Sequence, residues 1–114
     1  MKHILWISRH APTFAQVAEL SKILQDTLIL TRYDKSVDSY EEALEIYDDG
    51  HFDDLVVTLP LDMIGRMCNC GVCPIRSVHA LIGVDPDNNL RTYRFLRYER
   101  IRSVVIDKQI LRRL

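Results

Sequence analysis

The spacing of apolar residues along the chain predicts strands that alternate with helices. Short runs made almost wholly of apolar residues, each ended by a polar loop, are typical of strands that are buried on both faces of a sheet. Between these runs, apolar residues recur every three or four positions, which is the spacing of one buried helix face. We predict strands over residues 4–7, 27–31, 55–59, 77–82, 93–98 and 101–106.

Capping residues mark where two of the predicted helices begin. Thr13 is a good N-cap, and Gln16 three residues later completes a capping-box pattern. Ser39 precedes the second helix, which has Glu42 at its third position and ends near Gly50. The first helix is expected to bury Phe14, Val17, Ala18, Leu20 and Leu24, to expose Gln16, Glu19, Lys22 and Gln25, and to end near Asp26.

This element order predicts an α/β fold, with a mostly parallel sheet, helices on both faces and a C-terminal β-hairpin. The 114 residues, 47% of them hydrophobic, suit a single small domain. We divide it into an α/β core over residues 1–83 and a hairpin over residues 84–114. No apolar run approaches the length of a membrane span, and the N-terminus carries no export signal. We therefore expect a cytoplasmic protein without membrane contact.

Sheets of this kind bind ligands beyond the carboxyl ends of their strands, where the strand order reverses. Those ends are followed here by residues 8–13, 32–34 and 58–61. Arg9 and His10 stand directly before a helix, whose free N–H groups and dipole attract anions. With Ser8 and Thr13 they predict a phosphate cradle that holds one titratable group. The alternative is an ordinary turn with a surface arginine and a packed histidine, and the glycine-rich motifs of dinucleotide and P-loop sites are absent.

The net charge of -1 conceals an uneven distribution of charge. Residues 34–54 hold nine acids and one base, whereas residues 87–114 hold seven arginines and one lysine against three acids. A neutral chain does not adhere to nucleic acid by bulk charge, but the second half can present a local anion site. Aromatic and arginine residues alternate over residues 93–100, which fits base stacking or the packing of a half-buried strand. No helix-turn-helix pattern accompanies them, so binding to double-stranded DNA is not expected.

Three cysteines form a C-x-C-x-x-C cluster, Cys68, Cys70 and Cys73, after a short third helix that ends near Gly71. A structural zinc site generally needs four ligands, and the nearest further candidate, His79, falls inside a predicted strand. We therefore expect no metal and no other cofactor. Cys68 is interpreted as a small core residue.

Two short segments carry a family resemblance: Trp6-Ile7-Ser8-Arg9-His10, and Thr58-Leu59-Pro60-Leu61 after the third strand. They resemble motifs of the small Rossmann-like proteins encoded beside type III CRISPR systems, which are related to the CARF sensor domains. The resemblance covers about residues 3–68 and does not include the cysteine cluster or the arginine-rich hairpin. It implies that the protein binds a cyclic oligoadenylate, such as cyclic tetra-adenylate, and cleaves it as a metal-independent ring nuclease.

The resemblance also implies roles for individual residues. Arg9 would stabilise charge on the phosphate, and His10 would protonate the departing oxygen after attack by the ribose 2′-hydroxyl. The ligand would be held by Ser8, Thr13, Arg32, Thr58, Leu59 and Pro60. A symmetric ring suits a two-fold homodimer. The alternatives are a protein that binds the messenger without cutting it, and a ligand-free interaction domain whose acidic and basic segments pair between subunits.

Overall fold

The computed structural model describes residues 1–113, which form a five-stranded sheet and three helices. The strands are β1 (Lys2–Ile7), β2 (Leu28–Tyr33), β3 (Asp54–Val57), β4 (Ile75–Val84) and β5 (Arg91–Arg100), and the helices are α1 (Phe14–Leu24), α2 (Tyr40–Asp49) and α3 (Leu61–Asn69). The strand order is β2-β1-β3-β4-β5, in which the first four strands are parallel and β5 is antiparallel to β4. This arrangement confirms the predicted α/β fold with its C-terminal hairpin. None of the helices described is long and apolar enough to cross a bilayer.

Successive residues of the central strand β1 pack on opposite faces of the sheet. Leu5 and Ile7 belong to a hydrophobic cluster with α2 and α3, whereas Ile4 and Trp6 pack with Leu20 of α1 on the other face. All five side chains are at most 4% exposed. Because neighbouring strand residues point to opposite faces, a strand covered on both faces needs an apolar residue at every position. This requirement explains the uninterrupted apolar run at the start of the sequence.

Both predicted capping patterns are confirmed, and the buried face of α1 is the predicted one in part: Leu20 and Leu24 pack in the core, but Phe14 and Ala18 are exposed. Thr13 Oγ1 accepts from the N–H of Gln16 at 3.2 Å, and Gln16 Oε1 accepts from the N–H of Thr13 at 2.8 Å; Ser39 Oγ caps α2 at 3.2 Å. Phe14 is 91% exposed, whereas Gln16 is only 7% exposed. Leu20, fully buried one turn after Gln16, lies on the same face. Phe14 stands two positions before Gln16 and so points about 200° away from that face.

The strand predicted over residues 101–106 is wrong, because residues 101–113 lie outside the sheet. The ladder between β4 and β5 already ends where Arg100 pairs with Ile75, the first residue of β4. With no further β4 residue to pair with, the chain leaves the sheet, and Val104 packs against the core cluster that includes α3. β4 belongs to both the parallel sheet and the hairpin, so the hairpin begins well before residue 84. Its predicted last residue, Leu114, lies outside the described residues.

Candidate functional site

The strand order reverses at β1, because β2 lies on one side of it and β3 on the other. Ser8 follows β1 and Thr58 follows β3, and the N–H of Thr58 donates to the main-chain oxygen of Ile7 at 2.9 Å. Helix α1 covers one face of the sheet and helices α2 and α3 cover the other. The topology therefore brings Ser8 and Thr58 together at the place where open α/β sheets bind ligands.

A cleft of about 280 Å³ opens on the face of α2 and α3, and we call it the cationic cleft. It is lined chiefly by Ser8, Arg9, Thr58, Leu59, Pro60 and the loop over residues 35–38. Arg9 and Lys35 bring two positive charges against the single carboxylate of Asp38. Arg9 Nη2 donates to Ser36 Oγ at 3.0 Å, which holds the guanidinium at the cleft. The cleft thus combines net positive charge with hydroxyl groups, the donors that bind phosphate and carboxylate.

The uncapped helix N-terminus at this cleft belongs to α3 and not to α1. The cap residue of α3 is Pro60, which makes no side-chain hydrogen bond to the helix. In α1, by contrast, Thr13 and Gln16 form reciprocal hydrogen bonds, so the main-chain N–H groups of both residues are already paired. The positive end of a helix dipole therefore acts on the cationic cleft from α3, whereas the sequence led us to expect it from α1.

A second cleft, of about 460 Å³, opens on the face of α1, and we call it the aromatic cleft. Its walls are Trp6, Ala11 and Tyr93, and its polar groups come from Ser8, His10, Gln16, Thr58, Ser77 and His79. Gln16 Nε2 lies 3.3 Å from His79 Nε2. The lining residues include no aspartate, glutamate, lysine or arginine. Apart from two imidazoles, this cleft is neutral, in contrast with the cationic cleft.

The predicted site residues are divided between the two clefts. Ser8 and Thr58 line both clefts, Arg9, Leu59 and Pro60 line only the cationic cleft, and His10 lines only the aromatic cleft. Thr13 and Arg32 line neither of them. Thr13 caps α1, and Arg32 donates to the main-chain oxygens of Arg9 and, at 3.4 Å, of Ser8. Arg32 thus positions the loop that follows β1, and its guanidinium does not face the ligand clefts.

Arg9 and His10 are adjacent in the sequence but face different clefts. The loop that carries them is held by a bond from Trp6 Nε1 to the main-chain oxygen of His10 at 3.0 Å. A second bond, from the N–H of His10 to Ser8 Oγ at 3.1 Å, tightens the turn. Because the two side chains leave this turn on opposite sides, a single phosphate within either cleft contacts only one of them.

No family model, no curated protein and no solved structure matched this chain when it was compared with known proteins. Its function must therefore be inferred from the residues of the two clefts. Sequence reasoning missed Gln16, Ser77 and His79 as cleft residues, whereas Tyr93 belongs to the segment that it considered for base stacking. Gln16 gave a signal only as a capping residue. Ser77 and His79 give no local signal of a cleft, because the pairing of β4 with β5 places them.

Tyr98 fastens β5 to α1 beside the aromatic cleft. Its hydroxyl donates to the main-chain oxygen of Gln16 at 3.0 Å. Its ring packs against Phe95, with 4.8 Å between centroids, and Phe95 packs edge-on against His79 at 5.7 Å. Burial raises the pKa of Tyr98 to about 12, with a smaller contribution from the charge of Glu19. The phenol therefore stays protonated at neutral pH and keeps donating to α1.

The cysteine cluster holds the segment after β5 against the end of α3. Cys68 Sγ donates to the main-chain oxygen of Ile101 at 3.3 Å, and Cys73 Sγ lies 3.9 Å from that of Arg102. All three cysteines are free thiols, and burial is the main cause that raises the pKa of Cys68. Among residues 1–113, no three side chains of histidine, cysteine, aspartate or glutamate are grouped so that they could hold a metal ion.

Proposed function

We propose that the protein binds a cyclic oligoadenylate, with cyclic tetra-adenylate as the first candidate, across the two clefts and cleaves it without a metal. One observation carries the proposal: Ser8 and Thr58 line both clefts, so that the clefts share a common rim. A ligand that carries both phosphates and bases can reach both clefts at once, and a ring of nucleotides presents several of each. The resemblance of the two sequence motifs to type III CRISPR proteins belongs to the same proposal, and so does the cytoplasmic location that the sequence led us to expect.

The cationic cleft supplies the groups for phosphate binding. The guanidinium of Arg9 offers a planar fork of N–H donors that matches phosphate oxygens, and Lys35 adds a second positive charge. The free N–H groups at the start of α3 add a favourable dipole at the same cleft. Because His10 faces the other cleft, we assign Arg9 to a phosphate next to the reacting linkage and not to the reacting phosphate itself.

The cleavage step is an internal transfer that needs no added water. The ribose 2′-oxygen forms a bond to the adjacent phosphorus, the bond from phosphorus to the 5′-oxygen breaks, and the 2′-hydroxyl proton passes to solvent. The imidazolium of His10 gives its proton to the departing 5′-oxygen, the general-acid role that histidine fills most often in catalysis. The products are a 2′,3′-cyclic phosphate and a free 5′-hydroxyl. A symmetric ring would meet each loop twice in a two-fold homodimer.

The test is incubation of the full chain with cyclic tetra-adenylate in the presence of EDTA, followed by chromatography of the products. We expect linear products that end in a 2′,3′-cyclic phosphate. His10→Ala should abolish cleavage and keep binding, Arg9→Ala should weaken binding, and His51→Ala, which changes an exposed histidine outside both clefts, should behave as the wild type. An intact ring after long incubation at high protein concentration would refute the nuclease activity.

Binding without cleavage is the second candidate function. The observation that favours it is the divergence of Arg9 and His10 into different clefts, which denies the reacting phosphate the guanidinium of Arg9. A ligand that binds only the folded state must raise the melting temperature of the protein. A clear rise with cyclic tetra-adenylate but no product would select this function. No rise and no product would refute both candidates.

A further inference from the structure

The side-chain amide of Gln16 has a fixed orientation in the aromatic cleft. Its oxygen accepts from the N–H of Thr13 at 2.8 Å, which is one half of the capping box of α1. Its nitrogen therefore points the other way, toward His79 Nε2 at 3.3 Å. The side chain is 7% exposed and lines the cleft. An amide nitrogen carries two hydrogens, so one of them serves His79 and the second remains for a ligand.

The orientation of Gln16 also fixes which nitrogen of His79 carries the proton. An amide nitrogen only donates hydrogen bonds, so His79 Nε2 must accept, and the neutral ring then carries its proton on Nδ1. The ring is further held by its edge-on contact with Phe95. In this tautomer the remaining polar atom of His79, which lines the cleft, is the donor at Nδ1, and the ring has no free acceptor nitrogen. Gln16 and His79 together form a pair of donors.

The rest of the aromatic cleft suits a flat neutral ring. Trp6 and Tyr93 give it aromatic walls, and the hydroxyl groups along it are those of serine and threonine. Phosphate has its cations in the other cleft, where Arg9 and Lys35 lie. The volume of about 460 Å³ lies within the range of small-molecule sites.

We infer that the aromatic cleft binds a purine base, adenine in the proposed ligand, through ring nitrogens that accept hydrogen bonds from Gln16 and His79. Purines carry such unprotonated ring nitrogens on a flat apolar ring, which matches donors set between aromatic walls. The inference rests on the proposed function for the identity of the base. It adds that base recognition and phosphate binding occupy separate clefts.

The test uses adenosine, which has the base but neither a phosphate nor a ring of nucleotides. Adenosine is titrated into the ¹⁵N-labelled full chain, and the side-chain amide signal of Gln16 is followed by NMR. We expect this signal to shift. Among the 1-deaza, 3-deaza and 7-deaza analogues, each of which replaces one acceptor nitrogen by C–H, at least one should bind about tenfold more weakly. No shift up to the solubility limit of adenosine, or equal binding of all three analogues, would overturn the inference.

A matched pair of variants tests the same donors from the side of the protein. Gln16→Glu preserves the capping box, in which glutamate is the commonest partner, but replaces the donor nitrogen by an acceptor oxygen. We expect adenosine to bind about tenfold more weakly, measured below the melting temperature of the variant so that the folded protein is compared in both cases. Gln25→Glu makes the same change at an exposed position just beyond the same helix and should bind as the wild type. Undiminished binding by Gln16→Glu would overturn the inference.

The two proposals fail in different ways. If adenosine binds with the expected dependence on its ring nitrogens but cyclic tetra-adenylate neither binds nor is cut, the proposed function is refuted and the base site stands. If cyclic tetra-adenylate binds or is cut while Gln16→Glu and the three analogues show no effect, the base site is refuted and the proposed function stands.

Discussion

The phenol of Tyr98 forms a polar link between the hairpin and α1, and Tyr98→Phe tests how much that link contributes. The hydroxyl donates to the main-chain oxygen of Gln16 at 3.0 Å. Phenylalanine would keep the ring contact with Phe95 and lose only this hydrogen bond. The Gln16 oxygen also accepts from the next turn of α1, so it is not left unpaired. We therefore expect a loss of about 1 kcal/mol in the free energy of unfolding near neutral pH.

The same hydroxyl makes the free energy of unfolding vary with pH in the alkaline range. Burial, with help from Glu19, raises the pKa of Tyr98 to about 12, above its ordinary value of 10. Because the folded-state pKa lies above the unfolded one, the stabilisation is complete below pH 10 and is lost as the pH rises through about 12. A pKa difference of this size corresponds to about 3 kcal/mol. The side chain is only half-buried, so water should reduce this to between about 1 and 2 kcal/mol.

Urea unfolding of the wild type and Tyr98→Phe, at about pH 8 and about pH 11, measures both effects. At about pH 8 we expect the wild type to have a higher free energy of unfolding than Tyr98→Phe. At about pH 11 this difference between the two proteins should shrink or reverse. Tyr93→Phe, at a tyrosine that is 54% exposed on the same strand, should show little difference at either pH. A difference between the wild type and Tyr98→Phe that does not change with pH would refute the reasoning.

Three further substitutions test the packing around the site. Leu20→Ala removes a fully buried side chain and should lower the free energy of unfolding by about 2–5 kcal/mol in urea titrations, whereas Ile23→Ala, half-exposed on the same helix, should cost less than about 1 kcal/mol. Gly65→Ala places a methyl group 3.1 Å from the Cβ of Val104. Replacing a helical glycine by alanine usually raises the free energy of unfolding by about 1 kcal/mol, but here we expect that gain only when Val104→Gly removes the contact, as a double-mutant cycle would measure. A full gain with Val104 present would contradict this. Trp6→Phe loses the 3.0 Å bond to the loop after β1 and should cost about 1 kcal/mol, measured by circular dichroism because Trp6 is the sole tryptophan; an unchanged stability would contradict that role.

The features that could be predicted from the sequence are those decided by neighbouring residues. The capping box of Thr13 and Gln16 lies within four residues, and the apolar run of β1 reports directly that both faces are covered. The prediction for α1 was right for Leu20 and Leu24 but wrong for Phe14 and Gln16, because the pattern counts Phe14 as apolar and Gln16 as polar. In the fold, the oxygen of the Gln16 amide accepts from Thr13 and its nitrogen contacts His79, and these two contacts offset the cost of burying the side chain.

The failure over residues 101–106 has a different physical cause. Their β-branched residues, Ile101, Val104, Val105 and Ile106, are typical of a strand, but a strand also needs a neighbour with free N–H and C=O groups. The ladder of β5 with β4 ends at Arg100, so the backbone after it bonds to other groups, such as the oxygen of Pro74, to which the N–H of Ile101 donates at 3.0 Å. A pattern within one segment cannot report whether such a neighbour is available.

The candidate site was predictable only as far as the topology rule reaches. The rule that ligands bind beyond the carboxyl ends of strands pointed to Ser8 and Thr58, which do lie together. The divergence of Arg9 and His10 depends on the turn held by the indole of Trp6, a contact that the motif itself does not reveal. The donors of the aromatic cleft, Gln16 and His79, are 63 positions apart in the chain. They come together only through tertiary contacts, which a local sequence pattern does not reveal.

Ser8 and Thr58 form a rim that the two clefts share, so one ligand can contact both clefts. This arrangement lets us predict how two substitutions, one in each cleft, together change the free energy of binding. Arg9→Ala acts in the cationic cleft and Gln16→Glu acts in the aromatic cleft, with no contact between the two side chains. In the His10→Ala background, which prevents cleavage, both should weaken the binding of cyclic tetra-adenylate, and their free energies should add within about 0.5 kcal/mol. Adenosine, confined to one cleft, should respond to Gln16→Glu alone. If Arg9→Ala weakened adenosine binding as much as ring binding, the clefts would not act as separate subsites, and the division of the ligand between phosphate and base sites would be wrong.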